Sequence, residues 1–233
     1  MGVFCLVHGS TQNASGWDLL VPELHRRGHR TITATLPVDE PEASATRYAD
    51  AIVEVLPPDC SDLVLVGHSA SGLFLPLVAA RRPLRQVVFL AALIPKIGAS
   101  LLDQFRANPD MLNPDWVGKD PTKDDEVAME FLFHDCPPEI ARWALTTRSL
   151  MNARGAMEEV CPLSRWPDVA CSYIVCSEDR TISPEWSRRA ARELLSIEPI
   201  ELAGGHCPHV SRPAELAEVL GPTGATRGHC RSC

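Results

Sequence analysis

The run Leu63-Val64-Leu65-Val66-Gly67-His68-Ser69-Ala70-Ser71-Gly72-Leu73 constrains this chain more than any other. Four consecutive apolar residues read as a buried strand, the small residues after them permit a tight turn, and Leu73–Arg81 reads as a helix. Such a turn pushes one hydroxyl, that of Ser69, out of the end of a sheet in a strained backbone conformation. A serine displayed in this way serves as a nucleophile, provided a base accepts its proton. Ser71 is the rival hydroxyl, but it lies inside the helix start, where small size is the expected requirement.

The surrounding pattern fits a sheet that would hold such a turn. Val3–Val7 is a short strand, followed by the loop Gly9–Gly16 and a helix from Asp18 to Arg27 that stops at Gly28. Arg30–Ala34 is a second strand, Ala45–Leu56 a helix ended by Pro57-Pro58, and Gln86–Leu93 another apolar strand. Strand–helix order resumes with Cys171–Cys176, a helix over 184–195, a strand near Ile197–Leu202 and a last helix over 213–220. Alternating β and α elements imply a parallel sheet covered on both faces, the α/β class. Between Pro95 and about Arg165 the alternation breaks, with helix-like stretches at 125–134 and 137–150. An insertion over the carboxyl ends of strands is a natural lid. The expected division is a core of 1–95 and 166–222, a helical lid of 96–165 and a disordered tail of 223–233.

The 233 residues suffice for one α/β domain with a sizeable core. A net charge of -8 argues against nucleic acid and against an anionic membrane surface, both of which need clustered Lys and Arg. No apolar run reaches the roughly 18–20 residues of a membrane span, and the N-terminus has no basic region leading into a cleavable apolar segment. A cytoplasmic location is expected. The nine cysteines, at 5, 60, 136, 161, 171, 176, 207, 230 and 233, are too dispersed for a small disulfide scaffold, so free thiols are expected. Cys230-Arg-Ser-Cys233, after His229, has no second ligand pair and reads as part of the tail. No dinucleotide fingerprint, phosphate loop or metal-ligand spacing is present, so no cofactor and no metal are implied.

The best candidate base is His206, in Leu202-Ala-Gly-Gly-His206-Cys-Pro-His209. This stretch leaves the last expected strand, so a glycine loop brings an imidazole to the sheet edge where Ser69 sits. His209 competes, but it lies nearer the closing helix and is expected to be exposed. His68, beside the serine, reads as a scaffold residue.

With these residues the chain resembles the α/β-hydrolase superfamily over nearly its whole length, to about residue 220, and its compact form is similar to the branch of plant methylesterases and hydroxynitrile lyases. The resemblance implies a mostly parallel sheet flanked by helices with a small helical lid. It departs at the turn, because the glycine usual two residues after the nucleophile is Ser71 here, with Gly72 next. The family pattern matches Asp179, in Ser177-Glu178-Asp179-Arg180, as the acid that orients the histidine, with Glu178 the alternative. The order Ser69, Asp179, His206 is the order of this fold. His8-Gly9-Ser10 matches the family's oxyanion loop, which implies the backbone N–H groups of Ser10 and Ala70 as the oxyanion donors. His8 reads as fixing that loop and Trp17 as packing.

The expected activity is that of a serine hydrolase cleaving an ester or thioester of a small apolar molecule through an acyl-enzyme. Phe105, Met111, Trp116, Met129, Phe131, Phe133 and Trp143 in the lid collectively favour an apolar group, although most are expected in plain core. Two alternatives stand beside it: C–C bond hydrolysis or lysis on the same triad, and ligand binding without catalysis. Hydroxynitrile lyases of the resembling branch carry a lysine after the triad histidine and a threonine in the oxyanion loop. Those positions are Cys207 and Gly9 here, so that activity lacks its cation. A small-molecule substrate is the one partner implied, and oligomeric state is open.

Overall fold

The computed structural model describes residues 2–60, 62–221 and 228–229. In chain order the strands are β1 (Val3–Val7), β2 (Arg30–Ala34), β3 (Leu63–His68), β4 (Gln86–Leu90), β5 (Ala170–Cys176), β6 (Ile200–Leu202) and β7 (Gly228–His229). The helices are α1 (Leu20–Arg26), α2 (Ala45–Glu54), α3 (Leu75–Ala79), α4 (Leu101–Ala107), α5 (Asp125–Phe131), α6 (Pro138–Leu145), α7 (Arg154–Glu158), α8 (Pro184–Leu195), α9 (Pro208–Ser211) and α10 (Pro213–Leu220). The sheet order is β2-β1-β3-β4-β5-β6, with every neighbouring pair parallel. The short β7 pairs antiparallel with the start of β5, and the rest of the 223–233 stretch, Cys230 and Cys233 included, lies outside the described residues.

Alternation along the strands builds the two cores. Cys5, Val7, Leu63, Leu65, Val87, Phe89, Tyr173 and Val175 point to one face, where α2, α3 and α8 cover them. Phe4, Leu6, Val64, Val66, Val88, Leu90 and Ile174 point to the other, against α1 and α10. Burial on both faces is why the central strands read as unbroken apolar runs. The helix starts are marked by side chains: Ser44 caps α2, accepting the Arg47 N–H, and Ser183 caps α8, accepting that of Trp186. Gly28, at φ 78°, ends α1 in a conformation that glycine takes without strain.

Two departures from the sequence pattern bear on the site. The apolar run Gln86–Leu93 stops pairing at Leu90, because Ala91 takes φ 42° and turns the chain out of the ladder. Leu93 is thereby freed to donate its N–H to the Ser69 carbonyl at 3.0 Å. The insertion between β4 and β5 holds four helices rather than two. Short α4 and α7 bracket α5 and α6, and the stretch read as helical to 150 ends at Leu145. Residues 147–151 then run against the loop that follows β1, with Gln12 and Arg148 forming an antiparallel bridge.

Leu65 sits fully buried in the middle of β3. Leu65→Ala is expected to cost about 3 kcal/mol of stability, measured as the shift of a urea unfolding midpoint at constant slope.

Candidate active site

Because every strand of the parallel sheet runs the same way, the segments leaving β1, β3, β5 and β6 share one rim. They carry His8–Ser10, Ser69, Asp179 and His206 respectively. Ser69 opens a 3-10 turn over Ser69–Leu73 at φ 56°, a left-handed conformation costing a non-glycine residue about 1–3 kcal/mol. Neighbours hold it there. A side chain on Gly67 would meet Leu75 at 2.7 Å, and one on Gly72 would come within 2.1 Å of the Leu93 carbonyl oxygen. The displaced glycine at 72 thus serves the close approach to the end of β4.

Ser71 does more than stay small. Fully buried, its hydroxyl lies 3.1 Å from the Val7 carbonyl and 2.8 Å from that of His68, which ties the turn to the ends of β1 and β3. Gly9 packs against the serine directly, since a Cβ there would lie 2.8 Å from Ser69 Cβ. His8 accepts the Leu36 N–H at Nε2 (3.2 Å), which leaves Nδ1–H to donate to the Gly9 carbonyl at 2.8 Å. Burial lowers its pKa and keeps it neutral.

The imidazole of His206 and the carboxylate of Asp179 meet at 2.7 Å, with side chains 2% and 1% exposed. Asp179 Oδ1 is occupied by the Thr181 N–H (2.7 Å), the Thr181 hydroxyl (3.0 Å) and the Ile182 N–H (3.1 Å). The carboxylate therefore cannot swing, and its Oδ2 accepts from His206 Nδ1–H. That tautomer leaves the lone pair of Nε2 to the cavity that His206 lines together with Ser69. Glu178, the alternative acid, has its side chain in solvent.

His209, expected on the surface, is instead 2% exposed and donates Nε2–H to Gln12 Oε1 at 2.9 Å. Pro208 starts a short helix that turns this imidazole inward against Trp17, ring centroids 4.5 Å apart. Burial first, and His206 second, push its pKa down to about 3. His68 donates Nε2–H to the His206 carbonyl at 2.8 Å. Burial holds its pKa well below the usual range. Both are supports of the His206 loop, and only the adjacency of His68 to Ser69 in the sequence hinted at this.

The cavity has a volume of about 190 Å³ and is lined by Ser10, Thr11, Ser69, Ala70 and His206 at its polar end. Leu73, Phe74, Leu93 and Ile182 from the core meet Phe105, Trp116, Met151 and Met157 from the insertion around the rest. Of the seven large residues singled out between 96 and 165, Phe105 and Trp116 reach it. Met111, Phe131 and Phe133 are buried elsewhere, and Met129 and Trp143 pack partly buried on the core of the insertion. Among the described residues no group of three or more His, Cys, Asp or Glu is placed to hold a metal ion.

A model described as "Alpha/beta hydrolase family" matches residues 6–219. The chain belongs to the alpha/beta hydrolase family. Methylesterase 8 of Arabidopsis thaliana is 27% identical to this hydrolase over 240 residues, 93% of this chain and 87% of its own. Polyneuridine aldehyde esterase of Rauvolfia serpentina is 26% identical over 247 residues, 93% of each. A crystal structure of polyneuridine aldehyde esterase superposes with a TM-score of 0.78 at 24% identity, covering 94% of this chain and 98% of that one, a likeness of fold. The hydrolase thus sits with the plant methylesterase-like branch, and relatives of that kind support activity of the esterase type.

Neutral burial of His68 and His209 has a pH consequence. Each binds a proton in the unfolded chain near the ordinary histidine pKa of 6.5 but resists it when folded. Stability is therefore full above about pH 6.5 and falls as acid is added, down toward the folded value of about 3 for His209. His209→Gln is expected to flatten that fall, read as the slope of unfolding free energy between pH 6.5 and 4.

Proposed function

We propose that this hydrolase cleaves a small, uncharged carboxylic ester through an acyl-enzyme on Ser69. The observation carrying this reading is the buried Asp179–His206 pair, whose free imidazole edge opens on the same cavity as a serine held at positive φ. Ser69 Oγ attacks the ester carbonyl as its proton passes to His206 Nε2, and Asp179 stabilises the imidazolium. The backbone N–H groups of Ser10 and Ala70 receive the oxyanion, each donor of this kind contributing about 3–4 kcal/mol to the transition state. His206 returns the proton to the departing alkoxide. Water then attacks the acyl group by the same route, and the acid leaves.

Among the described lining residues His206 is the single ionisable side chain. An acyl group bearing a charge would lose its hydration there without a partner, a large cost. The acid product meets the same lack of a cation, which favours its release. Cys207 gives no cation beside the base: its buried thiol is directed at Gln12 Oε1, 3.6 Å away, and burial raises its pKa well above the ordinary range. The names of the relatives make methyl esters the first to try. The cytoplasm suits the chain, since Cys5, Cys60, Cys136, Cys161, Cys176 and Cys207 are thiols. Among the described residues no helix is long and apolar enough to cross a membrane.

Ser69→Ala is expected to lower kcat by about 10⁴–10⁶-fold on p-nitrophenyl esters with the circular dichroism spectrum unchanged. Parental turnover by that variant sinks the proposal. Across a panel of methyl esters, the neutral acyl groups should exceed their carboxylate-bearing counterparts by about 100-fold or more in kcat/KM. Equal rates for the two would mean that the cavity is not the acyl site.

A further inference from the structure

His206 follows two glycines, Gly204 at φ 109° and Gly205, and a base on so yielding a stretch needs outside support to stay aligned. The support comes from the insertion, on both sides of the residue. On one side is Asp135, between α5 and α6, with its side chain 7% exposed. Its Oδ2 accepts the Gly205 N–H at 2.9 Å, and the Arg212 guanidinium lies 3.8 Å from the same oxygen. The fit is close: a Cβ on Gly205 would lie 2.9 Å from Asp135 Oδ1 and 2.7 Å from His134 Nε2. His134 in turn donates Nε2–H to the Glu178 carbonyl at 3.1 Å, one residue before Asp179.

On the other side is Gln12, 1% exposed, two residues beyond Ser10. Its carboxamide oxygen accepts from His209 Nε2 at 2.9 Å and from the Cys207 thiol at 3.6 Å. Its nitrogen donates to the Thr147 hydroxyl of the insertion at 3.0 Å. Backbone bonds run alongside: Asn13 N–H to the Thr147 carbonyl (2.9 Å), Ser149 N–H to that of Thr11 (3.1 Å) and Met151 N–H to that of Ser10 (2.7 Å). Apolar packing joins the same parts, since Cys207 and Val210 share a cluster with Ala128, Leu132, Phe133, Ala141 and Ala144 of the insertion.

We infer that the insertion positions the base: Asp135, and Thr147 acting through Gln12, hold the His206 loop from its two sides and align it with Ser69. This rests on the reading of His206 as the base. Asp135 and Gln12 are positioning residues, because they act on the loop and not on the substrate. It follows that 134–135 and 147–151 stay docked through turnover, since detaching them would release the imidazole.

The test uses the full chain with p-nitrophenyl acetate, comparing the parent with Asp135→Ala, Asp135→Asn, Gln12→Ala, Thr147→Val and Ser69→Ala, each assayed well below its own Tm. Asp135→Ala and Gln12→Ala are expected to lose about 10–100-fold in kcat, the scale of a misplaced catalytic group, with KM within about threefold. Asp135→Asn keeps an oxygen for the Gly205 N–H and is expected to recover most of the rate. A merely structural role would lower Tm and leave kcat in place, which overturns the inference. Should either alanine variant fail to fold, Thr147→Val, which removes the hydroxyl that accepts from Gln12 and donates to the Ala144 carbonyl, carries the test: a fall in kcat supports the inference and parental kcat overturns it. A dead Ser69→Ala beside unimpaired Asp135→Ala and Gln12→Ala overturns this inference alone. Ser69→Ala at the parental rate overturns the hydrolytic reading and this inference with it.

Discussion

The hydrogen bond between Asp179 and His206 is the interaction on which the rest of this structure depends. A carboxylate at 1% exposure would be costly if isolated, but here two backbone N–H groups, a hydroxyl and an imidazole N–H surround it. Those donors come from one tight turn after β5 and from the loop after β6. Parallel pairing of Ile174–Cys176 with Ile200–Leu202 brings turn and loop to the same rim. The sheet register is therefore what places acid beside base. The serine is a separate problem, solved by the close packing of β3, the 3-10 turn and the end of β4.

Four histidines lie at this rim, and their surroundings give them different work. His8, His68 and His209 each spend a ring N–H on a backbone carbonyl or an amide, and burial lowers the pKa of all three. His206 alone among them has a carboxylate against its ring, the feature on which its proposed role as the base rests. Neutral neighbours also avoid competing for the proton. The cavity continues the same logic: its walls are apolar, so the proposed reaction relies on fixed backbone donors rather than on mobile side chains for charge appearing on the carbonyl.

The core elements were legible wherever burial imposed a plain pattern. Arg30–Ala34, 184–195 and 213–220 have the boundaries read from periodicity and from proline and glycine stops. Gln86–Leu93 was overextended because Ala91 to Leu93 are as apolar as a strand while serving to brace the serine turn. Two helices of the insertion, α4 and α7, and α9 after β6 are four to seven residues long, too short for a helical period to declare itself. Ser69, His206 and Asp179 could be named as candidates from the sequence because each follows a strand in family order. The burial of His209 and the role of Gln12 were not legible. Both depend on which side chains the insertion brings down on the rim, and no local pattern encodes that.

The central claim is that one hydroxyl, at position 69, is activated by the pair at 179 and 206. Intact and peptide-level mass spectrometry after treatment with a fluorophosphonate tests it most directly. The account predicts one adduct per chain, located on Ser69, forming much more slowly in Asp179→Asn. An adduct confined to Ser10 or Ser71, or equal labelling rates in the parent and Asp179→Asn, would contradict it.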